Sequence, residues 1–238
     1  MRGAPDAIVL CGGEGLRLKS VTGDAPKSLA TIGGRPFLEL LLAQLRRHEF
    51  ERVILAVGYQ KALIHSHVGR HAHGLTVEYS EESVPLGTGG ALRNAAPLIE
   101  SENVLIMNGD SYTNVDLVAF ARDFETSGAD ISMLVVAADG RSDCGLVSVG
   151  SDKGVTGFTE KGQVADRAYL NAGIYMATKS LLCSIEPGSK ISLEQELFPR
   201  WLSEAKHLRA FIHSGGCVDI GTPERYRSAQ DSLAQMEN

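Results

Sequence analysis

The sequence predicts an α/β chain: a doubly wound, mostly parallel sheet carrying β-rich insertions. Three observations lead there. Short apolar runs alternate with amphipathic helical stretches as far as residue 136. Glycine or aspartate closes several of those runs, where buried parallel strands hand over to loops. Beyond that point strand-like runs follow one another with few helices between them.

"DAIVL" (6–10) reads as a buried parallel strand, because it is apolar without alternation and ends in a glycine turn. "RPFLELLLAQLRRHEF" places Phe37, Leu40, Leu41 and Leu45 on one helical face, with Pro36 suited to the first turn. "RVILAVGY" (52–59) is a second buried strand, "QKALIHSHVG" a helix and "LTVEYS" (75–80) a third strand. After the glycine-rich "PLGTGGALRNAAPLI" the pattern resumes with strand "NVLIMNGD" (103–110), a helix around 115–126 and strand "DISMLVV" (130–136).

"CGLVSVG", "VTGFTEKG", "YLNAGIYMAT" and "LRAFIHSGGCVDIG" supply the strand-like second half, expected to form a lid on the sheet. Two helices interrupt it. Ser192 and Gln195 have capping-box spacing before "LFPRWL", and Thr222 with Pro223 opens a helix over about 223–235. No linker or repeat divides the chain, so residues 1–238 are read as one domain.

Composition narrows the function classes. With 238 residues, 43% hydrophobic and 22% charged, the chain can bury a sizeable core. A net charge of -6 argues against non-specific nucleic-acid binding, which needs an excess of Lys and Arg. Cys11, Cys144, Cys183 and Cys217 are scattered, which indicates neither a zinc site nor a disulfide framework and suits the reducing cytoplasm. No apolar run reaches the length of about 18 residues expected of a membrane span. "MRGAPDAIVLCGG" lacks the apolar centre of a signal peptide. Neither nucleic acid nor membrane is an expected partner.

In a doubly wound sheet the ligand sits beyond the carboxyl ends of the strands. There the chain places "LCGGEGLRLKSVTGDAPKSL" (10–29). A dinucleotide fingerprint would need a glycine where Leu18 stands, and a phosphate loop of the Walker type would need one where Pro26 precedes Lys27 and Ser28. On its own chemistry, Gly12, Gly13 and Gly15 allow backbone N–H groups to approach an anion, while Arg17 and Lys27 neutralise phosphate oxygens. Asp110 and Asp219 each end an apolar run, where carboxylate oxygens can hold a hard cation such as magnesium. A lone aspartate there is more often a turn or cap residue, and a lone glycine loop a solvated turn. Two such aspartates beside one cationic loop shift that balance towards a site.

The loop resembles the signature of the sugar 1-phosphate nucleotidyltransferases. Further motifs of that family follow in order: "PLGTGGAL" (85–92), "NGD" (108–110), "CGLVSV" (144–149), "TEKG" (159–162), "LNAGIY" (170–175), "SLEQELFP" (192–199) and "VDIGTPERY" (218–226). The resemblance implies a Rossmann-like nucleotidyltransferase fold with sugar-binding insertions. It assigns nucleotide binding to Leu10, Gly12, Gly13 and Gly15, with Arg17 and Lys27 on the phosphates, and base recognition to the turn at Leu86, Gly87 and Thr88. Asp110 and Asp219 become the ligands of a Mg2+ cofactor. Glu160 holds sugar hydroxyls, Lys161 the sugar phosphate, and Gly145 and Asn171 line the sugar pocket. Arg17, Lys27, Asp110 and Lys161 are the implied catalytic set. Two departures, Lys19-Ser20-Val21 after the "RL" and Ser28 after the "PK", touch no residue with a phosphate role.

The implied reaction joins a nucleoside triphosphate to a sugar 1-phosphate and releases pyrophosphate. Within the family the motifs are most similar to the D-glycero-α-D-manno-heptose 1-phosphate guanylyltransferases, which implies GTP, heptose 1-phosphate and surface polysaccharide synthesis (capsule or lipopolysaccharide). Chemistry agrees on the base, since Glu82 beside the turn can accept from the N1–H and amino group of guanine. Uridylyl, thymidylyl or cytidylyl transfer to a hexose or amino-sugar phosphate stays open, as does a homodimer. A regulatory subunit that only binds nucleotide sugar would be marked by loss of the loop cations or a metal aspartate, and this chain keeps them.

Overall fold

The computed structural model describes residues 4–138, 145–159 and 168–236. In chain order the main elements are β1 (Asp6–Leu10), α1 (Phe37–Arg47), β2 (Arg52–Val57), α2 (Lys61–Val68), β3 (Leu75–Glu81), α3 (Gly87–Ala95), β4 (Asn103–Asn108), α4 (Leu117–Ser127) and β5 (Ile131–Ala137). The second half adds β6 (Leu146–Val149), β7 (Val155–Thr159), β8 (Ala168–Thr178), α5 (Lys179–Cys183), α6 (Phe198–Ser203), β9 (Leu208–His213) and α7 (Pro223–Met236).

Among the described residues ten strands join in one mixed sheet whose main path runs β7-β6-β8-β4-β1-β2-β3, with the short strand His71–Ala72 on the β3 edge. β4, β1, β2 and β3 are mutually parallel. β8 enters antiparallel between β4 and β5, and β9 pairs with β5 in parallel. Both faces are covered. Along β1, Ala7 and Val9 pack into one cluster with Phe37, Leu41 and Phe120, while Ile8 packs into the opposite cluster with Leu92, Phe198 and Trp201. That double burial explains why the strand is apolar throughout instead of alternating.

The expected lid is part of the sheet. Among the described residues β6 and β7 extend it sideways, because β8 is long enough to serve two neighbours on one flank. Its first residues pair with β6 and its last with β4. The register against β5 slips between Asn171 and Tyr175, and Gly173 takes φ +74° within the slip. A side chain there would be strained, and its Cβ would lie 2.9 Å from Asn108 Nδ2.

Helix α3 does not follow from the sequence pattern, since its three glycines disfavour helix. Tertiary contact overrides that preference. Ile191 O accepts from Gly89 N (2.9 Å) and Gly90 N (3.3 Å), and any Cβ on Gly89 or Gly90 would run into Leu197 or the Ser189 carbonyl. The predicted cap at Ser192 is present, but altered. Its hydroxyl accepts from Gln195 N at 3.1 Å, yet Glu196 returns the bond to Ser192 N at 2.9 Å. Leu193–Leu197 form a π turn, whose wider winding displaces the reciprocal contact by one residue.

Cys11 and Cys183 are free thiols, and Cys144 lies outside the described residues. Among the described residues no helix is long and apolar enough to cross a membrane.

Candidate active site

The glycine loop leaves β1 across the carboxyl ends of β1, β2 and β4. Cys11 N donates to Ala56 O (2.8 Å), Tyr59 N to Gly12 O (3.1 Å) and Gly109 N to Leu10 O (3.0 Å). Small residues are required for this approach. A Cβ on Gly58 would sit 3.0 Å from Gly12 O, and one on Gly109 would sit 2.5 Å from Leu10 O. Gly15 adopts φ +61°, which turns the chain into the short helical turn carrying Arg17. Cys11 lies beneath the loop, and burial pushes its thiol up to about 12, so it is an inert wall and not a nucleophile.

A cleft of about 820 Å³ opens over these strand ends. Leu10, Gly12, Gly13, Gly15, Arg17, Lys27, Glu82, Gly87, Thr88 and Asp110 all line it, so the sequence-derived nucleotide set converges on one cavity. Asn108, Lys190 and Gly221 line it as well. Arg17 is exposed and carries no ion pair among the described residues.

Lys27 and Asp110 are directly hydrogen-bonded, with side chains 13% and 33% exposed. Asp219 reaches the same place through β pairing. Val218–Asp219 lies antiparallel to Ser111–Tyr112, and Ile220 N donates to Asp110 O at 3.0 Å. The Asp219 carboxylate accepts from Gly221 N and, at 3.0 Å, from an Arg225 guanidinium N–H. Two aspartates remote in sequence thus share one strand end. A cation, the Lys27 ammonium, already sits against Asp110, and the Arg225 guanidinium against Asp219. Among the described residues no group of three or more His, Cys, Asp or Glu could hold a metal ion. Two carboxylates suit a magnesium ion whose other ligands come from water and substrate phosphates.

At the base turn, Glu82 Oε2 accepts from Leu86 N at 3.0 Å while Oε1 lies beside Gly12. Partial burial pushes the Glu82 carboxyl up, and the Leu86 N–H bond opposes that shift. Gly87 takes φ +71°, and a Cβ there would lie 2.6 Å from Ile191 O. Thr88 fixes the segment behind it, donating to Glu194 Oε2 (2.7 Å) and accepting from Leu193 N (2.8 Å).

Gly145 and Asn171 stand apart from this cleft. Leu146 pairs with Leu170, which sets Gly145 and Asn171 side by side across β6 and β8. Asn171 Nδ2 donates to the Tyr175 hydroxyl (2.8 Å) and Oδ1 accepts from Gly173 N (2.9 Å). Tyr175 is fully buried, and that burial pushes its hydroxyl well above the ordinary tyrosine range, so it stays protonated. Glu160 and Lys161 lie outside the described residues.

Sequence reasoning passed over Asn108, Arg225 and Lys190. Asn108 was visible inside "NGD"; it lines the cleft, and its buried Oδ1 has no hydrogen-bond partner among the described residues. Arg225 was visible inside "GTPERY", six residues after Asp219. Lys190 had no signal, because its place depends on how 189–191 docks against α3.

A glycine-walled cleft at the carboxyl ends of parallel strands, with free cations and paired aspartates, defines a nucleotide-handling α/β enzyme. The chain belongs to the nucleotidyl transferase family, whose model matches residues 6–236. It is 35% identical over 228 residues to a D-glycero-alpha-D-manno-heptose 1-phosphate guanylyltransferase of Aneurinibacillus thermoaerophilus, covering 96% of this chain and 98% of that one. It is 32% identical to a mannose-1-phosphate guanylyltransferase of Mycobacterium tuberculosis over 93% of this chain, which corresponds to 62% of that longer protein. The solved structure of HddC from Yersinia pseudotuberculosis complexed with GMP-PN superposes with a TM-score of 0.83 and 31% identity, over 97% of this chain and 100% of that one.

Proposed function

We propose that the protein transfers a guanylyl group from GTP to D-glycero-α-D-manno-heptose 1-phosphate, giving GDP-heptose and pyrophosphate. The observation that carries this reading is the convergence of one cleft: Glu82, Arg17, Lys27 and Asp110 all line it. Similarity to the heptose guanylyltransferase along almost the whole of both chains supports the sugar. Mannose 1-phosphate is the second reading, favoured by the similarity to the Mycobacterium tuberculosis enzyme.

An oxygen of the sugar phosphate, already ionised near neutral pH, attacks the α-phosphorus. The bond from that phosphorus to the pyrophosphate oxygen breaks as the new P–O bond forms. No Ser, Cys or His nucleophile is needed, and positioning with charge neutralisation carries the rate. The loop N–H groups from Gly12 to Gly15 hold the triphosphate. Arg17 meets the charge that builds on the departing pyrophosphate, and Lys27 bridges towards the α-phosphate. Glu82 offers its uncommitted oxygen to guanine, while Leu86 N–H holds the other in place. Asp110 and Asp219 would hold a magnesium ion, which supplies charge neutralisation at the α-phosphate when bound. Lys161 steers the incoming phosphate, and Glu160, Gly145 and Asn171 hold the sugar. The product serves surface polysaccharide assembly in the cytoplasm.

The test is pyrophosphate release in a matrix of four nucleoside triphosphates against heptose, mannose, glucose and N-acetylhexosamine 1-phosphates. Turnover confined to GTP with heptose 1-phosphate supports the proposal. Preference for mannose 1-phosphate selects the second reading, and preference for UTP, dTTP or CTP refutes guanylyl transfer.

A further inference from the structure

We infer that Lys27 is a built-in counter-ion that closes the cation position beside Asp110 and Asp219 until a nucleotide arrives. The inference rests on the proposal that these aspartates hold a metal. Three observations on the lysine support it.

First, its ammonium is hydrogen-bonded to Asp110 Oδ2 and is largely buried. Second, the ammonium extends to the turn that bears the other aspartate. A Cβ built on Gly221 would lie 3.5 Å from Lys27 Nζ and 2.7 Å from Asp219 Oδ1. The ammonium therefore lies on Asp110 and beside the turn that carries Asp219. Third, its stem runs along the glycine loop, since a Cβ on Gly15 would lie 3.0 Å from Lys27 Cβ and 3.6 Å from its Cδ. Rotation about the outer side-chain bonds then carries the ammonium from Asp110 towards phosphates held by that loop, with no movement of the stem.

Charge balance makes the two positions exclusive. In the nucleotide-free site Lys27 neutralises Asp110, and Arg225 neutralises Asp219 at 3.0 Å. A divalent ion added to that balanced set leaves uncompensated positive charge in a partly desolvated cleft, which is unfavourable. A triphosphate reverses the sum. It offers the lysine a new anionic partner and brings oxygen ligands for the metal. Metal and nucleotide are thus bound together, and the bare protein rejects the metal.

The experiment is titration of the full-length protein with Mn2+, with free ion read by electron paramagnetic resonance, so that binding is measured without turnover. Without nucleotide, wild type binds Mn2+ weakly, and Lys27→Met tightens it by at least about tenfold by removing the competing charge. Lys27→Arg keeps a cation and stays as weak as wild type, and Lys27→Gln stands in for the Met variant should that fail to fold. Lys27→Met affinity equal to or below wild type overturns the inference. A separate arm adds a non-hydrolysable GTP analogue to wild type and subtracts Mn2+ bound by the analogue alone. No additional Mn2+ bound there refutes the metal site itself, which separates failure of the underlying reading from failure of the counter-ion.

Discussion

The region proposed to hold the nucleotide and the region proposed to hold the sugar are built by different means. The nucleotide region is made of backbone. Gly12, Gly58 and Gly109 bring three chain segments within van der Waals contact, and charged side chains such as Arg17, Lys27, Glu82 and Asp110 line the cleft they form. In the region proposed to hold the sugar, the described side chain is that of Asn171 on β8. Asn171 is aimed by the slip in β8 and held by Tyr175 and Gly173. On the proposed function, triphosphate binding would depend on close approach of the backbone, and sugar choice on the direction of side chains such as Asn171. Substitutions in the two regions should therefore fail differently.

The largest expected effect tests the cationic part of the nucleotide region. Arg17→Ala should lower kcat by about 10²- to 10³-fold with the melting temperature unchanged, because an exposed arginine contributes to charge neutralisation and not to packing. Near-normal turnover in steady-state kinetics would remove Arg17 from the mechanism. Next comes the backbone part. Gly89→Val should destabilise the protein by about 1–3 kcal/mol, read by chemical denaturation, since the space is taken by Leu197 and Ile191.

The sugar region should give a smaller and more selective response. Asn171→Ala is expected to raise KM for the sugar phosphate about tenfold and leave KM for GTP within twofold, the loss of one or two hydrogen bonds. Equal changes in both KM values would erase the division drawn here. Glu82→Gln should narrow the preference for GTP over ITP, which lacks the 2-amino group, by a few fold.

The smallest effect lies outside both regions. Arg209 holds Asp123 through two N–H bonds of 2.9 and 3.2 Å, and this keeps the aspartate carboxyl below its usual range. A lowered folded-state value stabilises the fold above the ordinary aspartate value of about 4, and the gain disappears as pH falls through the lowered one. Arg209→Ala should therefore cost about 1 kcal/mol at pH 7 and progressively less below pH 4, measured by denaturation at several pH values. A constant difference across that range would contradict the sign.

Legibility in the sequence followed the same division. β1 ends at Leu10 as the apolar run predicted, and the loop residues reached one cleft, because their signals are local: apolar runs, glycines, cations at fixed spacing. Helix α3 stayed hidden because its glycines answer to Ile191, Leu197 and Ser189, about a hundred residues later. The β6–β7 pair was mistaken for a lid because pairing partners along β8 leave no periodic mark in the chain. Arg225 escaped notice because its ion pair with Asp219 exists only once the Thr222 turn has folded.

On the proposed function, the cleft over β1 and β4 activates GTP for attack by heptose 1-phosphate. The most direct test is the pyrophosphate released when purified protein, magnesium and each nucleoside triphosphate meet D-glycero-α-D-manno-heptose 1-phosphate. Stoichiometric GDP-heptose and pyrophosphate are expected with GTP, and at most a few per cent of that rate with the other nucleotides. Absence of GDP-heptose with GTP, or faster turnover with UTP, dTTP or CTP, would contradict it.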